Sequence, residues 1–198
     1  MSEIKLTVVG HSYVRRLMEY RQRRVQHPEK LELGGKKFNL SYVHKGGVDY
    51  HFYNRSQRYK NKIIATSPQI IIVILGGNRV CSTQPVPEIS IQMRQFHAWL
   101  KSTFPQTFII TAEVEPRFSF NPLLPPNHRE ESFKARRSAF NQAVKRNRDK
   151  HLMLRLADLL CDRDYFTWNG VHLEDLGNKV YWSALKGCLK EAIPKLSL

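Results

Sequence analysis

Acidic residues are scarce in this sequence. Only 17 Asp and Glu stand against 32 Lys and Arg, which gives a formal net charge of +15 over 198 residues. Such an excess of basic residues favours contact with nucleic acid or another polyanion. The basic residues are dispersed along the chain, so no segment has the composition of a disordered basic tail.

Cysteine and clustered metal ligands are also sparse. The three cysteines, Cys81, Cys161 and Cys188, are widely spaced and form no CxxC pair, which argues against a disulfide framework or a zinc site and predicts free thiols. The sequence has no clustered carboxylates for Mg²⁺, no P-loop and no GxGxxG after the first strand. We therefore predict no metal and no cofactor, and a phosphatase or nuclease is disfavoured.

Long apolar runs are absent as well. No segment approaches the roughly 20 apolar residues of a membrane span. The first five residues lack the basic start and apolar region of a signal peptide. We expect an intracellular protein, cytoplasmic or nuclear, without a membrane span. With no internal repeat and no linker, residues 1–198 are predicted to form a single domain.

Short apolar segments alternate with amphipathic ones along the chain. This alternation predicts a three-layer α/β/α sandwich, a flavodoxin-like fold whose five-stranded parallel sheet is covered by helices on both faces. The predicted strands are 4–9, 38–43, 70–75, 108–111 and 151–156. The predicted helices are one from residue 14 and those at 53–66, 89–104, 130–150 and 178–193, with loops at 28–37 and 116–127.

Ser12 lies in the turn between the first strand and the first helix. In open α/β folds this turn is at the carboxyl edge of the sheet, where ligands bind. A serine at a helix N-terminus is also beside free backbone N–H groups that can stabilise an anion. The structural alternative is that Ser12 only caps the helix.

Three other polar loops follow predicted strands. They contain Gly46-Gly47, Gly76-Gly77-Asn78 and Asn169-Gly170-Val171-His172. Together with Gly10-His11-Ser12, these loops supply Ser, Gly, Asn and His in the order of the four blocks of the SGNH (GDSL-type) hydrolase superfamily, which the chain resembles from Val8 to about Tyr181. The segments 10–17 and 170–173 are similar to the esterase-like domains carried by some metazoan retrotransposons.

The resemblance implies a role for each matching residue. Ser12 would be the nucleophile and His172 the base that takes its proton. The backbone N–H groups of Ser12 and Gly47 and the side-chain amide of Asn78 would form the oxyanion hole. The structural alternatives are that Gly47 only makes a turn and that Asn78 only binds its own loop.

Three positions depart from the family pattern, and each departure removes a negative charge. His11 stands where Asp usually precedes the serine, Arg79 where Asp follows the asparagine, and Asn169 where the triad acid stands three residues before His172. The amide of Asn169 is able to accept from His172 through its oxygen, but it cannot stabilise an imidazolium as a carboxylate does. Four acids have other spacings and are predicted to be surface or capping residues: Asp162, Asp164, Glu174 and Asp175.

Two functions remain open. One is a serine esterase acting on a small acyl ester, acetyl or lipid, with activity weakened by Asn169. The other is a catalytically impaired module that binds RNA, DNA or another polyanion. For this second function, His11 and Arg79 are candidate phosphate contacts at the mouth of the site. The segment with Arg55, Arg58, Lys60, Tyr53 and Tyr59 is a candidate for phosphate contact and base stacking, or else a basic helix with its aromatic residues in the core.

Overall fold

A computed structural model describes residues 3–120, 125, 130–147, 152–156 and 161–196. Its strands are β1 (Ile4–Gly10), β2 (Lys30–Leu33), β3 (Lys36–His44), β4 (Ile70–Ile74), β5 (Phe108–Ala112) and β6 (Leu152–Leu154). Its α-helices are α1 (Ser12–Arg24), α2 (Tyr50–Arg55), α3 (Gln57–Ala65), α4 (Gly77–Val80), α5 (Val86–Thr103), α6 (Glu130–Arg146) and α7 (Asp175–Ala192).

The strands form one sheet in the order β2-β3-β1-β4-β5-β6, and every pair is parallel except β2 with β3. All five residues of β4 are buried, as expected for a central strand covered on both faces. Helices α1 and α7 pack on one face of the sheet, and α2, α3, α5 and α6 on the other. The predicted three-layer α/β/α class is confirmed.

The sheet has six strands rather than the predicted five, because β2 lies in the segment 28–37 that was predicted to be a loop. Its residues alternate between exposed and partly buried, and it pairs antiparallel with β3 at the edge of the sheet. The connecting turn uses Gly34 and Gly35, with φ of +57° and +70°, the left-handed conformations that a two-residue hairpin turn requires.

One predicted helix also needs adjustment. The helix predicted at 53–66 is two helices, because Ser56 has extended backbone angles (φ −89°, ψ 93°) and separates α2 from α3. Of the loop predicted at 116–127, residues 116–120 are irregular, as predicted, whereas 121–124 and 126–127 lie outside the described residues.

Among the described residues the three cysteines are free thiols, as predicted. Within the same part of the chain, no helix is both long enough and apolar enough to cross a membrane.

Candidate active site

The strand order brings three of the predicted site loops together. Strand β1 lies between β3 and β4, so the loops that carry Ser12, Gly47 and Asn78 leave neighbouring strands at the same edge of the sheet. The Gly10 carbonyl accepts from Lys45 N at 3.2 Å and from the Tyr53 hydroxyl at 2.8 Å. These bonds hold the loop after β3 against the turn that leads to Ser12.

Gly10 is required in this turn by close packing. A Cβ on Gly10 would lie 2.2 Å from the carbonyl oxygen of Ile74 on β4 and 2.7 Å from the Val14 side chain. No side chain fits in that space. The bare backbone therefore lets α1 begin directly above the end of β1, with Ser12 as its first residue.

Ser12 is not the helix cap. That position belongs to His11, whose Nδ1 accepts from Tyr13 N at 3.4 Å. The Ser12 hydroxyl instead faces His172, with 3.1 Å between Oγ and Nε2. This is within the range in which a histidine exchanges a proton with a serine hydroxyl.

Asn78 and Gly47 lie on two connected loops. Asn78 Nδ2 donates one hydrogen bond to the Val48 carbonyl at 3.0 Å, and a primary amide has a second N–H to offer. Gly47 is exposed with φ of +73°, a conformation that favours glycine. The structure thus brings both candidate oxyanion donors to the loops beside Ser12.

His172 lies at the end of a small hairpin that residues 167–172 form. Thr167 N donates to the His172 carbonyl at 2.7 Å, and Phe166 and Leu173 form an isolated antiparallel bridge. The Arg163 guanidinium donates to carbonyls on the same turn, those of Phe166, Thr167 and Trp168, at 2.8–2.9 Å. The imidazole is therefore held on a fixed backbone.

Asn169 contacts His172 through its nitrogen, not its oxygen. Asn169 Oδ1 accepts from the Thr167 hydroxyl at 2.7 Å and from the backbone N–H groups of Val171 and His172 at 2.9 and 3.1 Å. Two of these donors are backbone N–H groups, which cannot accept a hydrogen bond. If the amide were turned round, its Nδ2 donor would face these two N–H donors, so that orientation is excluded. Asn169 Nδ2 consequently lies 3.1 Å from His172 Nδ1. The expectation that the Asn169 oxygen accepts from the histidine is wrong.

This orientation assigns the tautomer of His172. Because the Asn169 amide donates to Nδ1, that nitrogen carries the lone pair and the proton of the neutral ring is on Nε2. Nε2–H then donates to Ser12 Oγ. A general base needs a lone pair at this nitrogen, so the resting pair has the wrong tautomer for deprotonating serine.

The surroundings of His172 are cationic. Burial lowers the pKa of His172, and the positive charges of Arg16, Arg117 and Arg15 lower it further. Among the described acids, none replaces the missing triad carboxylate. Asp175 pairs with Arg23 and Arg24 at 2.8 and 2.7 Å, and Asp162 accepts from the backbone of Asp164.

His11 does not lie at the mouth of the site. It is 2% exposed, and burial lowers its pKa to about 3, with smaller effects from Arg117 and His172. A neutral buried ring cannot contact a phosphate in solution. The expectation of a phosphate contact at His11 is corrected to that of a helix cap.

Arg79 is already paired with a carboxylate. Its Nε donates to Asp49, which is 4% exposed and also accepts from Phe52 N at 2.9 Å as the cap of α2. Sequence reasoning missed Asp49, although an Asp just before a helix is a recognisable capping signal. Since Asp49 compensates its charge, Arg79 is not available as an unpaired phosphate ligand.

The candidate stacking segment has its main aromatic residue in the core. Tyr53 is fully buried, and its hydroxyl donates to Gly10 and Val43 carbonyls. Tyr59 packs edge-on against Tyr53 and Phe52. The structure favours a basic helical segment with aromatic residues in the core over a base-stacking platform.

Glu115 is a buried carboxyl that the sequence reading did not single out. It lies in the loop after β5, it is 5% exposed, and its Oε1 has no hydrogen-bond partner among the described residues. Burial raises its pKa from 4.5 to about 7. Charging it in the folded protein at higher pH costs on the order of 3 kcal/mol.

We expect the stability of the fold to decrease as the pH rises from about 4.5 to 7, because the folded state binds the Glu115 proton more tightly than the unfolded state does. Glu115→Gln should raise Tm at pH 8 by roughly 6–12 °C and change Tm much less at pH 5. Glu32→Gln removes the same charge from an exposed position and should not alter this pH dependence. If the Tm of wild type and the Tm of Glu115→Gln change with pH in the same way between pH 5 and pH 8, the assignment is contradicted.

Solved structures share this architecture across nearly the whole chain. A carbohydrate esterase family 3 protein from Talaromyces cellulolyticus has a TM-score of 0.69 at 13% identity, covering 98% of this chain and 100% of that one. The chain has the SGNH hydrolase fold. A GDSL-like lipase from Bacteroides thetaiotaomicron shares this fold with a TM-score of 0.65 at 13% identity, covering 96% of this chain and 88% of that one. An acetyl esterase with a serine-to-alanine substitution, bound to acetate, also shares the fold. Its TM-score is 0.67 at 14% identity, covering 98% of this chain and 100% of that one. No protein-family model and no curated protein sequence matches the chain.

Proposed function

We propose that this protein is a serine ester hydrolase of low turnover that acts on small acyl esters, acetyl or lipid, on the SGNH hydrolase fold. The observation that carries the proposal is the 3.1 Å contact between Ser12 Oγ and His172 Nε2. The neighbouring loops supply Gly47 and Asn78 as oxyanion donors. Esterases and lipases among the structural neighbours support the reaction class.

The reaction proceeds in two steps at Ser12. Its Oγ attacks the ester carbonyl as its proton passes to His172 Nε2, and the oxyanion accepts from the N–H groups of Ser12 and Gly47 and the Asn78 amide. His172 then returns the proton to the leaving alcohol. Water activated at the same nitrogen releases the acid and restores the serine hydroxyl.

Two features of the site make this cycle slow. The reactive tautomer has its proton on His172 Nδ1, where it would face the N–H₂ of Asn169 at 3.1 Å. The imidazolium formed during attack has three arginines around it and no partner carboxylate among the described residues. Both features raise the barrier without removing the nucleophile, the base or the oxyanion donors.

The test is hydrolysis of a short-chain chromogenic ester by wild type and Ser12→Ala. We expect slow turnover by wild type and only the buffer rate with Ser12→Ala, because no other hydroxyl faces His172 Nε2 in the described residues. Ser102→Ala, which removes an exposed hydroxyl at the end of α5, is the matched control and should match wild type. Equal rates for wild type and Ser12→Ala would exclude serine catalysis.

Binding of RNA, DNA or another polyanion is the alternative function, and the net charge of +15 supports it. The pairing of Arg79 and the burial of His11 and Tyr53 argue against three of the contacts suggested for it, whereas Arg55 and Arg58 are exposed. The similarity to retrotransposon esterase-like domains likewise stays a prediction.

A further inference from the structure

Two of the three arginines near His172 come from the helix that carries Ser12. Arg15 and Arg16 stand three and four residues after Ser12 in α1, so all three residues share one face of the helix. Both positive charges lower the pKa of His172. Arg15 is turned toward Glu19, one turn further along the helix, whereas Arg16 is partly buried on the face that carries Ser12.

The third arginine comes from the loop after β5, which packs on the His172 hairpin. Phe118 N donates to the Gly170 carbonyl at 2.8 Å. A Cβ on Gly170 would lie 2.8 Å from the Phe118 carbonyl carbon and 2.9 Å from Ser119 N. Arg117 directly precedes this contact, so its charge lies beside the turn that carries His172, whose pKa it lowers.

Two of these guanidinium groups form no ion pair with a carboxylate among the described residues. Arg15 pairs with Glu19 at 3.6 Å. Arg16 and Arg117 are both only partly exposed, and neither forms an ion pair with any residue that the structure describes. Arg16 Nε is buried without a hydrogen-bond partner in the same part of the chain.

Glu115 is a buried acid whose charge interacts with that of Arg117. It lies two residues before Arg117 and is buried, and its pKa of about 7 leaves it only partly ionised near neutral pH. Its charge therefore compensates one of the two free guanidinium groups only in part.

We infer that the site takes an ester with a carboxylate or phosphate group next to the scissile bond, bound by Arg16 and Arg117. The inference rests on the proposed esterase function and names the class of its substrate. Guanidinium groups bind carboxylate and phosphate oxygens through paired N–H donors. A partly buried pair of positive charges that is only partly compensated and lies beside a nucleophile favours an anionic ligand over a neutral one of the same shape.

The test separates binding from turnover by using Ser12→Ala protein in titration calorimetry. The probes are 2-acetoxybenzoate, 2-acetoxyphenyl phosphate and the neutral methyl 2-acetoxybenzoate, in which the variable group is ortho to the acetyl ester. We expect the better anionic probe to bind at least about tenfold more tightly than the neutral ester, with a difference that shrinks as salt is added. The stronger of the two anions identifies the natural charged group as carboxylate or phosphate.

Adding Arg16→Gln and Arg117→Gln together to the Ser12→Ala protein should abolish this preference. Arg94→Gln together with Arg146→Gln is the matched control, since this pair also removes two charges, from exposed positions on α5 and α6, which pack on the opposite face of the sheet from α1. Equal affinity for neutral and anionic probes, or a preference that survives both substitutions, would overturn the inference. Hydrolysis of the same probes by wild type tests the esterase proposal separately, because the binding result does not depend on turnover.

Discussion

Asn169→Asp is expected to raise kcat for ester hydrolysis by about 10²- to 10⁴-fold, since the reverse change in a Ser-His-Asp protease lowers kcat about 10⁴-fold. One carboxylate oxygen of the new Asp can keep the bonds from Thr167, Val171 and His172 that Asn169 Oδ1 now accepts. The other oxygen would accept from His172 Nδ1–H. The proton thus moves to Nδ1, the lone pair moves to Nε2, and the imidazolium gains a counter-charge.

The control for this change is Asn61→Asp, which alters the net charge equally at an exposed position on α3. It should leave kcat at the wild-type value. Adding Ser12→Ala to Asn169→Asp should return the rate to background, which shows that the gain passes through the same nucleophile. An unchanged kcat in a folded Asn169→Asp protein would mean that the amide is not what limits turnover.

Asn78→Ala should lower kcat by about 10²- to 10³-fold with a smaller effect on KM, the loss expected when one oxyanion donor is removed. The measurement is best made in the Asn169→Asp protein, where the faster reaction leaves room for a decrease. The free N–H of the Asn78 amide acts only when the carbonyl oxygen becomes an oxyanion. Its removal therefore weakens the transition state more than the bound substrate.

Asn54→Ala is the matched control, because Asn54 Nδ2 also donates a single bond to a backbone carbonyl, that of Gln92, at 2.9 Å. Both substitutions should lower Tm modestly through the lost bond. Only Asn78→Ala should lower kcat. If the two variants lose activity equally, Asn78 supports its loop and does not bind the oxyanion.

The layers of the fold could be predicted because, along most of the chain, the spacing of the apolar residues in the sequence matches the positions that are buried in the structure. The run Ile70–Ile74 is apolar at every position and is the central strand of the sheet. β2 was missed because it is only four residues long, is highly charged and lies at an exposed edge, although its alternation of charged and apolar residues and the Gly34-Gly35 turn after it are hairpin signals. The break at Ser56 was missed because no proline or glycine marks it in the sequence.

The order of the four loops was sufficient to bring Ser12 and His172 together, but it could not give the direction of the hydrogen bonds. Whether Asn169 presents oxygen or nitrogen to the histidine depends on the backbone N–H groups of Val171 and His172, which only the folded hairpin orients. The pairing of Arg79 with Asp49 likewise depends on contacts between residues 30 positions apart.

The tautomer of His172 can be observed directly by ¹⁵N-edited NMR of the imidazole at a pH where the ring is neutral. We expect the wild-type protein to carry its proton on Nε2 and Asn169→Asp to carry it on Nδ1. A wild-type spectrum with the proton already on Nδ1 would contradict the assignment, and the low turnover proposed for this site would then need another cause.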